Sequence, residues 1–215
     1  MGKSVYSLVL TDEVIREVDR AAYAMNTSRS NMINQILAEY VSYVTPEKRS
    51  REVFGRLEDA LAALDHFQVM LQPSDSMISL RSALAYKYNP TVRYSVELYR
   101  TGGPAVGELR VSLRSQNSSL ILYISQFFKL WRRIEEAYVG QRESVIEDGR
   151  YLRRLYLPEG SPQTNEELGD ILAGYIQLLD AAMKEFFQNL QNPQEAARRV
   201  EALYAAYLRE GKTVL

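Results

Sequence analysis

Lys3-Ser4-Val5-Tyr6-Ser7-Leu8-Val9-Leu10 runs without a break into Thr11-Asp12-Glu13, and these eleven residues decide what the first part of the chain can be. The first eight are rich in β-branched and aromatic types, which favour an extended strand. Thr11 suits a helix N-cap, and Asp12 and Glu13 suit an acidic first turn. From there Val14, Ile15, Val18, Ala22 and Met25 form a helical stripe that stops at Asn26, a residue tolerant of the left-handed conformation of many helix ends. Ser28 can cap a second helix with the stripe Met32, Ile33, Ile36, Leu37, Tyr40, Val41 and Val44, ending before Pro46. The module is strand, helix, turn, helix. A lone strand leaves its backbone groups unpaired and two short helices enclose little core, so the strand needs a partner.

The strand Val5–Leu10, the polar start Thr11-Asp12-Glu13, the turn Asn26-Thr27-Ser28 and the segment Ser28-Arg29-Ser30-Asn31-Met32-Ile33-Asn34 occur in an order and at a spacing that resemble the ribbon-helix-helix (Arc/MetJ/CopG-type) family of bacterial DNA-binding proteins. The resemblance covers residues 3 to 45. It implies that two chains exchange strands to form an antiparallel ribbon that enters the major groove. Strand side chains alternate, so Tyr6, Leu8 and Leu10 are expected to face a dimer core with Ile33, Ile36 and Leu37, leaving Lys3, Val5, Ser7 and Val9 facing DNA. Ser7 can meet base edges through its hydroxyl, and Val5 and Val9 can meet thymine methyl groups. Family ribbons commonly carry longer polar residues there, so two valines imply modest or water-mediated readout. The free N–H groups opening the second helix, with Ser28, Arg29, Ser30 and Asn31, are expected to hold a backbone phosphate.

Charge makes no such argument by itself. Lys plus Arg total 26 against 27 acidic residues, and residues 1 to 50 hold six of each sign, so any nucleic-acid surface must be local. Hydrophobic residues make up 46% and charged residues 25%, typical of a chain that buries a real core. Cysteine is absent and histidine occurs once, at His66, which removes disulfide scaffolds, thiol nucleophiles, serine triads and most metal sites. Neither an enzyme nor a metal or other cofactor is expected. The longest uncharged run, Ser115 to Phe128, is 14 residues and polar in part, too short for a membrane span, and the first residues lack the apolar region of a secretory signal. A cytoplasmic protein without membrane association is expected.

Beyond Pro46 the expectation is an α+β body, mostly helical, with a three-stranded antiparallel meander; domain boundaries fall at 1–46 and 47–215. Val53, Leu57, Ala60, Leu61 and Leu64 predict a third helix across 47 to 71. Alternation around Ile78 to Tyr88, Val92 to Leu98 and Leu109 to Leu113 predicts the meander. Its opposite face would carry Arg81, Lys87, Arg93, Arg110 and Arg114 against Glu97 and Glu108. That face could hold a small anionic effector or touch DNA flanking the site, although cross-strand pairing and plain solubility explain such a face as well. Leu120, Ile124, Phe127, Trp131, Ile134 and Tyr138 predict a helix that either covers the sheet or forms a second dimer seam. Residues 140 to 163 read as an irregular connection, Thr164 with Glu167 as a capping box, and Asn192-Pro193 as the start of a last helix ending before Gly211.

The function expected from this reading is a dimeric, sequence-specific DNA-binding transcriptional regulator, a repressor, with double-stranded DNA and itself as partners, and with dimers able to pair on adjacent half-sites. The alternative is a protein-interaction module, such as an antitoxin-like or plasmid-maintenance accessory protein.

Overall fold

The computed structural model describes residues 5–41, 43–70, 74–100, 103–157 and 164–215, and the chain divides into two compact units, Met1–Arg49 and Ser50–Leu215. In the first unit, residues 5–11 are not part of any helix or sheet. They lead into α1 (Asp12–Ala24), whose acidic first turn is Asp12 and Glu13. The chain reverses through Asn26 at φ 48°, in the left-handed region expected of a residue ending a helix. Helix α2 (Arg29–Tyr40) follows, and the Ser28 side chain accepts from the Asn31 N–H as its cap. Only Val18, Ala22 and Met32 form a buried apolar cluster here, with Ala21 and Ile33 against it.

Helix α3 (Pro46–Ala62) starts at Thr45, whose Oγ1 accepts from the Lys48 N–H at 3.2 Å. It ends well short of residue 71, because His66-Phe67-Gln68-Val69 turns into a strand rather than a further helical turn. Six strands follow: β1 (Phe67–Val69), β2 (Met77–Ala83), β3 (Thr91–Leu98), β4 (Ala105–Leu113), β5 (Ser144–Glu147) and β6 (Arg150–Tyr156). They form one antiparallel sheet in the order β1-β2-β3-β4-β6-β5. The three-stranded meander is thus corrected to a sheet of six strands among the described residues, in which β2, β3 and β4 are the second, third and fourth.

The irregular connection at 140 to 163 is also corrected. It contains the hairpin β5–β6, closed by Asp148 and Gly149 at φ 44° and 73°, the positive pair a two-residue type I′ turn requires. The signal was hidden because one inward position of β6 is a charged residue, Arg153, which breaks the apolar alternation.

Helices α4 (Ser118–Val139), α5 (Asn165–Gln188) and α6 (Pro193–Arg209) complete the second unit. Thr164 and Glu167 form the reciprocal capping box at the start of α5, and Asn192 caps α6. The sheet buries Val92, Tyr94 and Val96 of β3 with Leu109 and Val111 of β4 on one face, where Phe128 of α4 stacks on Tyr151 of β6 and Tyr94 reaches Asp180 of α5. The stripe of α4 from Leu120 to Ile134 is buried within this same core, so it covers the sheet. Gly169 lets α5 approach α3 closely: a Cβ there would lie 2.8 Å from the Val53 carbonyl oxygen. Among the described residues, no helix is long and apolar enough to cross a membrane.

Candidate nucleic-acid interface

The residues expected to read DNA and those expected to pair two chains share one short segment. Lys3 lies outside the described residues. Val5 and Val9 are fully exposed, Ser7 is exposed, and Tyr6, Leu8 and Leu10 are 83%, 58% and 37% exposed. Exposure falls from Tyr6 to Leu10, but all six residues from Val5 to Leu10 are exposed in the single chain. Neither row has a strand partner among the described residues.

The helices also carry exposed apolar side chains. Ile36 and Leu37 of α2 are 43% and 52% exposed, and Ile33 is half-buried against the small core. Beside them an open groove of about 420 Å³ is lined by Glu13, Val14, Glu17, Val18, Ala21 and Ile36. The small buried cluster thus stands beside several exposed apolar side chains.

The start of α2 differs from the expected phosphate cradle in one respect. Arg29 is not a free cation: its Nε and Nη2 donate to the two carboxylate oxygens of Asp19 at 2.6 Å each. Those hydrogen bonds hold the Asp19 carboxyl below its ordinary range. The sequence offered no sign of this pair, because its partners lie ten positions apart on different helices. Ser28 is occupied as a cap, and the Asn31 side-chain amide donates to Thr27 Oγ1 at 2.8 Å. Ser30 is exposed, and it lies with Arg29 in the first turn of α2, where backbone N–H groups have no intrahelical acceptor.

On the second unit, Arg81, Lys87, Arg93, Arg110 and Arg114 are all exposed, but they are not equivalent. Arg110 is neutralised by Glu97, at 3.2 Å, and by Glu108. Glu108 was expected on the open face, yet it is buried, held by Tyr99 at 2.7 Å and by Arg154 at 3.2 Å. Arg110 is therefore corrected from candidate anion ligand to ion-pair partner. Lys87 sits in the turn between β2 and β3.

Two buried polar clusters escaped the sequence reading. In the first, Glu135 of α4 takes hydrogen bonds from Tyr151 at 2.9 Å, Tyr175 at 2.7 Å and Arg153 Nε at 3.1 Å, with all four side chains essentially excluded from solvent. Burial pushes the Tyr151 and Tyr175 hydroxyls well above the ordinary tyrosine range. In the second, buried Asp180 accepts from Tyr94 at 2.9 Å and pairs with Lys184 at 2.7 Å, with His66 at 3.4 Å. Both clusters tie helices to the sheet, and each buried charge faces an opposite charge, the requirement for burying it, although Arg153 Nη2 has no hydrogen-bond partner. Among the described residues, no group of three or more His, Cys, Asp or Glu side chains could hold a metal ion. Comparison with protein-family models, with curated proteins and with solved structures gave no match.

Proposed function

We propose that this chain is a dimeric, sequence-specific DNA-binding transcriptional regulator, a repressor, whose residues 5–10 pair with the same segment of a second copy to make a ribbon for the major groove. One observation carries the reading: the β-prone residues 5–10 stand exposed without a strand partner among the described residues, and the same unit carries an open apolar groove. A second copy would supply the missing backbone hydrogen bonds and cover Leu8, Leu10, Ile36 and Leu37 together. Val5, Ser7 and Val9 then read base edges, while the start of α2 positions the protein on a phosphate. The second unit serves as the regulatory or oligomerisation part.

Selection of bound duplexes from a random pool, at near-physiological salt, tests this directly. A short pseudo-palindromic site is expected, and replacing Ser7 or Val9 should change which bases are preferred. Binding that is absent or insensitive to salt removes the reading. A stoichiometric protein complex formed in place of DNA binding would instead assign the same apolar face to an antitoxin-like or plasmid-maintenance accessory role.

A further inference from the structure

We propose that the corner of the sheet's outer face formed by Arg81, Arg93 and Arg114 binds the phosphate backbone of duplex DNA, as a second, sequence-independent contact separate from the ribbon. The proposal rests on the reading of the chain as a DNA-binding protein. Its own support is an unbalanced charge. Arg81 of β2 stands directly opposite Arg93 of β3 in the sheet register, an arrangement of like charges that destabilises a strand pair. Nothing acidic relieves it among the described residues. Arg81 Nε donates to the neutral Gln68 amide oxygen at 2.8 Å, and Arg93 directs Nε and Nη2 at the Met70 sulfur, both at 3.3 Å. Arg114 is exposed just past the end of β4, two residues beyond Ser112, which is opposite Arg93.

The contrast lies on the same face. At its other end Arg110 and Arg154 are matched by Glu97, Glu108 and Glu143. Arg150 of β6 lies in the same row of the sheet as Arg81 and Arg93, between Ser112 of β4 and Glu147 of β5. A face held only for solubility gives no reason for Arg110 and Arg154 to be matched by carboxylates while Arg81, Arg93 and Arg114 are not.

Duplex DNA fits the corner better than a small effector or a single strand. Small ligands are mostly enclosed by their sites, whereas all three arginines are exposed. A polyanion instead gains affinity by adding weak contacts over an open surface. Each strand of the duplex carries about one charge per 3.4 Å of its axis, so a corner roughly 10 Å across meets up to about three phosphates. Single strands are held largely by aromatic stacking, and the outward rows here, Met77-Ser79-Arg81, Arg93-Ser95-Glu97 and Glu108-Arg110-Ser112, contain no aromatic residue.

The test compares full-length protein with full-length R81S/R93S and, separately, R114S, by fluorescence anisotropy on a random-sequence duplex and on a selected site across a salt series. The side chains are exposed, and thermal melting confirms that each variant is folded. The proposal expects both duplexes to weaken in parallel. The slope of log K against log salt should flatten by about 0.9 for each arginine contact removed, so raising salt from about 50 to about 200 mM costs the double variant roughly tenfold less affinity than the parent chain. Unchanged slopes for both folded variants overturn it. If R29A and Ser7 variants alter binding while these do not, the ribbon reading stands and only the corner fails; if the parent chain binds no duplex, both fail. Poly-glutamate binding that is lost in R81S/R93S without any change on DNA also overturns it and assigns the corner to an acidic protein.

Discussion

Leu8→Ala is the sharpest perturbation of the proposed dimer, because the proposed ribbon puts Leu8 in the row that faces the dimer core and Ser7 and Val9 in the opposite one. Leu8 is 58% exposed in the single chain. Fully burying a leucine contributes about 1.5–3 kcal/mol, so covering the exposed part contributes about 1–2 kcal/mol per copy. The two copies in a dimer lose about 2–4 kcal/mol, a dimer dissociation constant weaker by roughly thirtyfold to a thousandfold. Sedimentation equilibrium over a wide concentration range reads that change. Val9→Ala serves as the matched control, since Val9 is fully exposed and belongs to the outward row. It should leave dimerisation unchanged while altering DNA preference. Equal dimerisation by the Leu8 variant and the parent chain, or equal loss in both variants, would refute the assignment of faces.

The second unit supplies three further expectations. Glu135→Ala strands the fully buried Arg153 guanidinium and should cost about 3–5 kcal/mol in urea unfolding; a midpoint within error of the parent would show that the cluster is not structural. Gly169→Ala places a Cβ 2.7 Å from Arg56 Cβ and 2.8 Å from the Val53 carbonyl oxygen, so an overpacking cost of about 1–3 kcal/mol is expected, and an unchanged melting temperature would contradict it. Burial, followed by the adjacent Asp180 and Glu135 carboxylates, raises the hydroxyls of Tyr94 and Tyr151, and burial raises Tyr175 likewise. Because the folded values are raised, this stabilisation is complete below about pH 10 and is lost above it, where the unfolded chain releases protons that the folded chain keeps. Phenolate absorbance from these three should therefore appear only with unfolding, and reversible ionisation near pH 10 with intact near-ultraviolet dichroism would rule that out.

What could be read in advance depended on whether a signal was local. The capping residues Ser28, Thr164 with Glu167, and Asn192 each announce a helix within four residues, and each does cap one. Alternation marks β3 from Val92 to Leu98, because one face is buried and the other is not. Strand β1 is only three residues long, too short for any periodicity to register. Strand β6 was missed because Arg153 faces inward, a choice that makes sense only once Glu135 arrives from α4. The same dependence limited the basic face. Its arginines were legible as a row, but the neutralisation of Arg110 requires Glu108 to be buried beside Arg154, which belongs to β6.

The bidentate pair between Arg29 and Asp19 bears on how a head with equal numbers of acidic and basic residues could still hold DNA. Both side chains are substantially exposed, at 55% and 44%, and solvent screening leaves pairs of that kind weak. A DNA phosphate approaching the start of α2 can therefore replace the Asp19 carboxylate on the guanidinium, with the free backbone N–H groups adding donors that Asp19 does not use. The pair keeps Arg29 oriented, but it makes phosphate binding an exchange rather than a net gain. Removing the competitor should then strengthen binding. Asp19→Asn is expected to raise affinity for specific and random duplexes alike, by up to about fivefold. It should do so only while Arg29 is present. If Asp19→Asn tightens DNA binding equally in an Arg29→Ala background, its effect is a general loss of negative charge near the duplex, and the exchange at Arg29 is not how the head meets a phosphate.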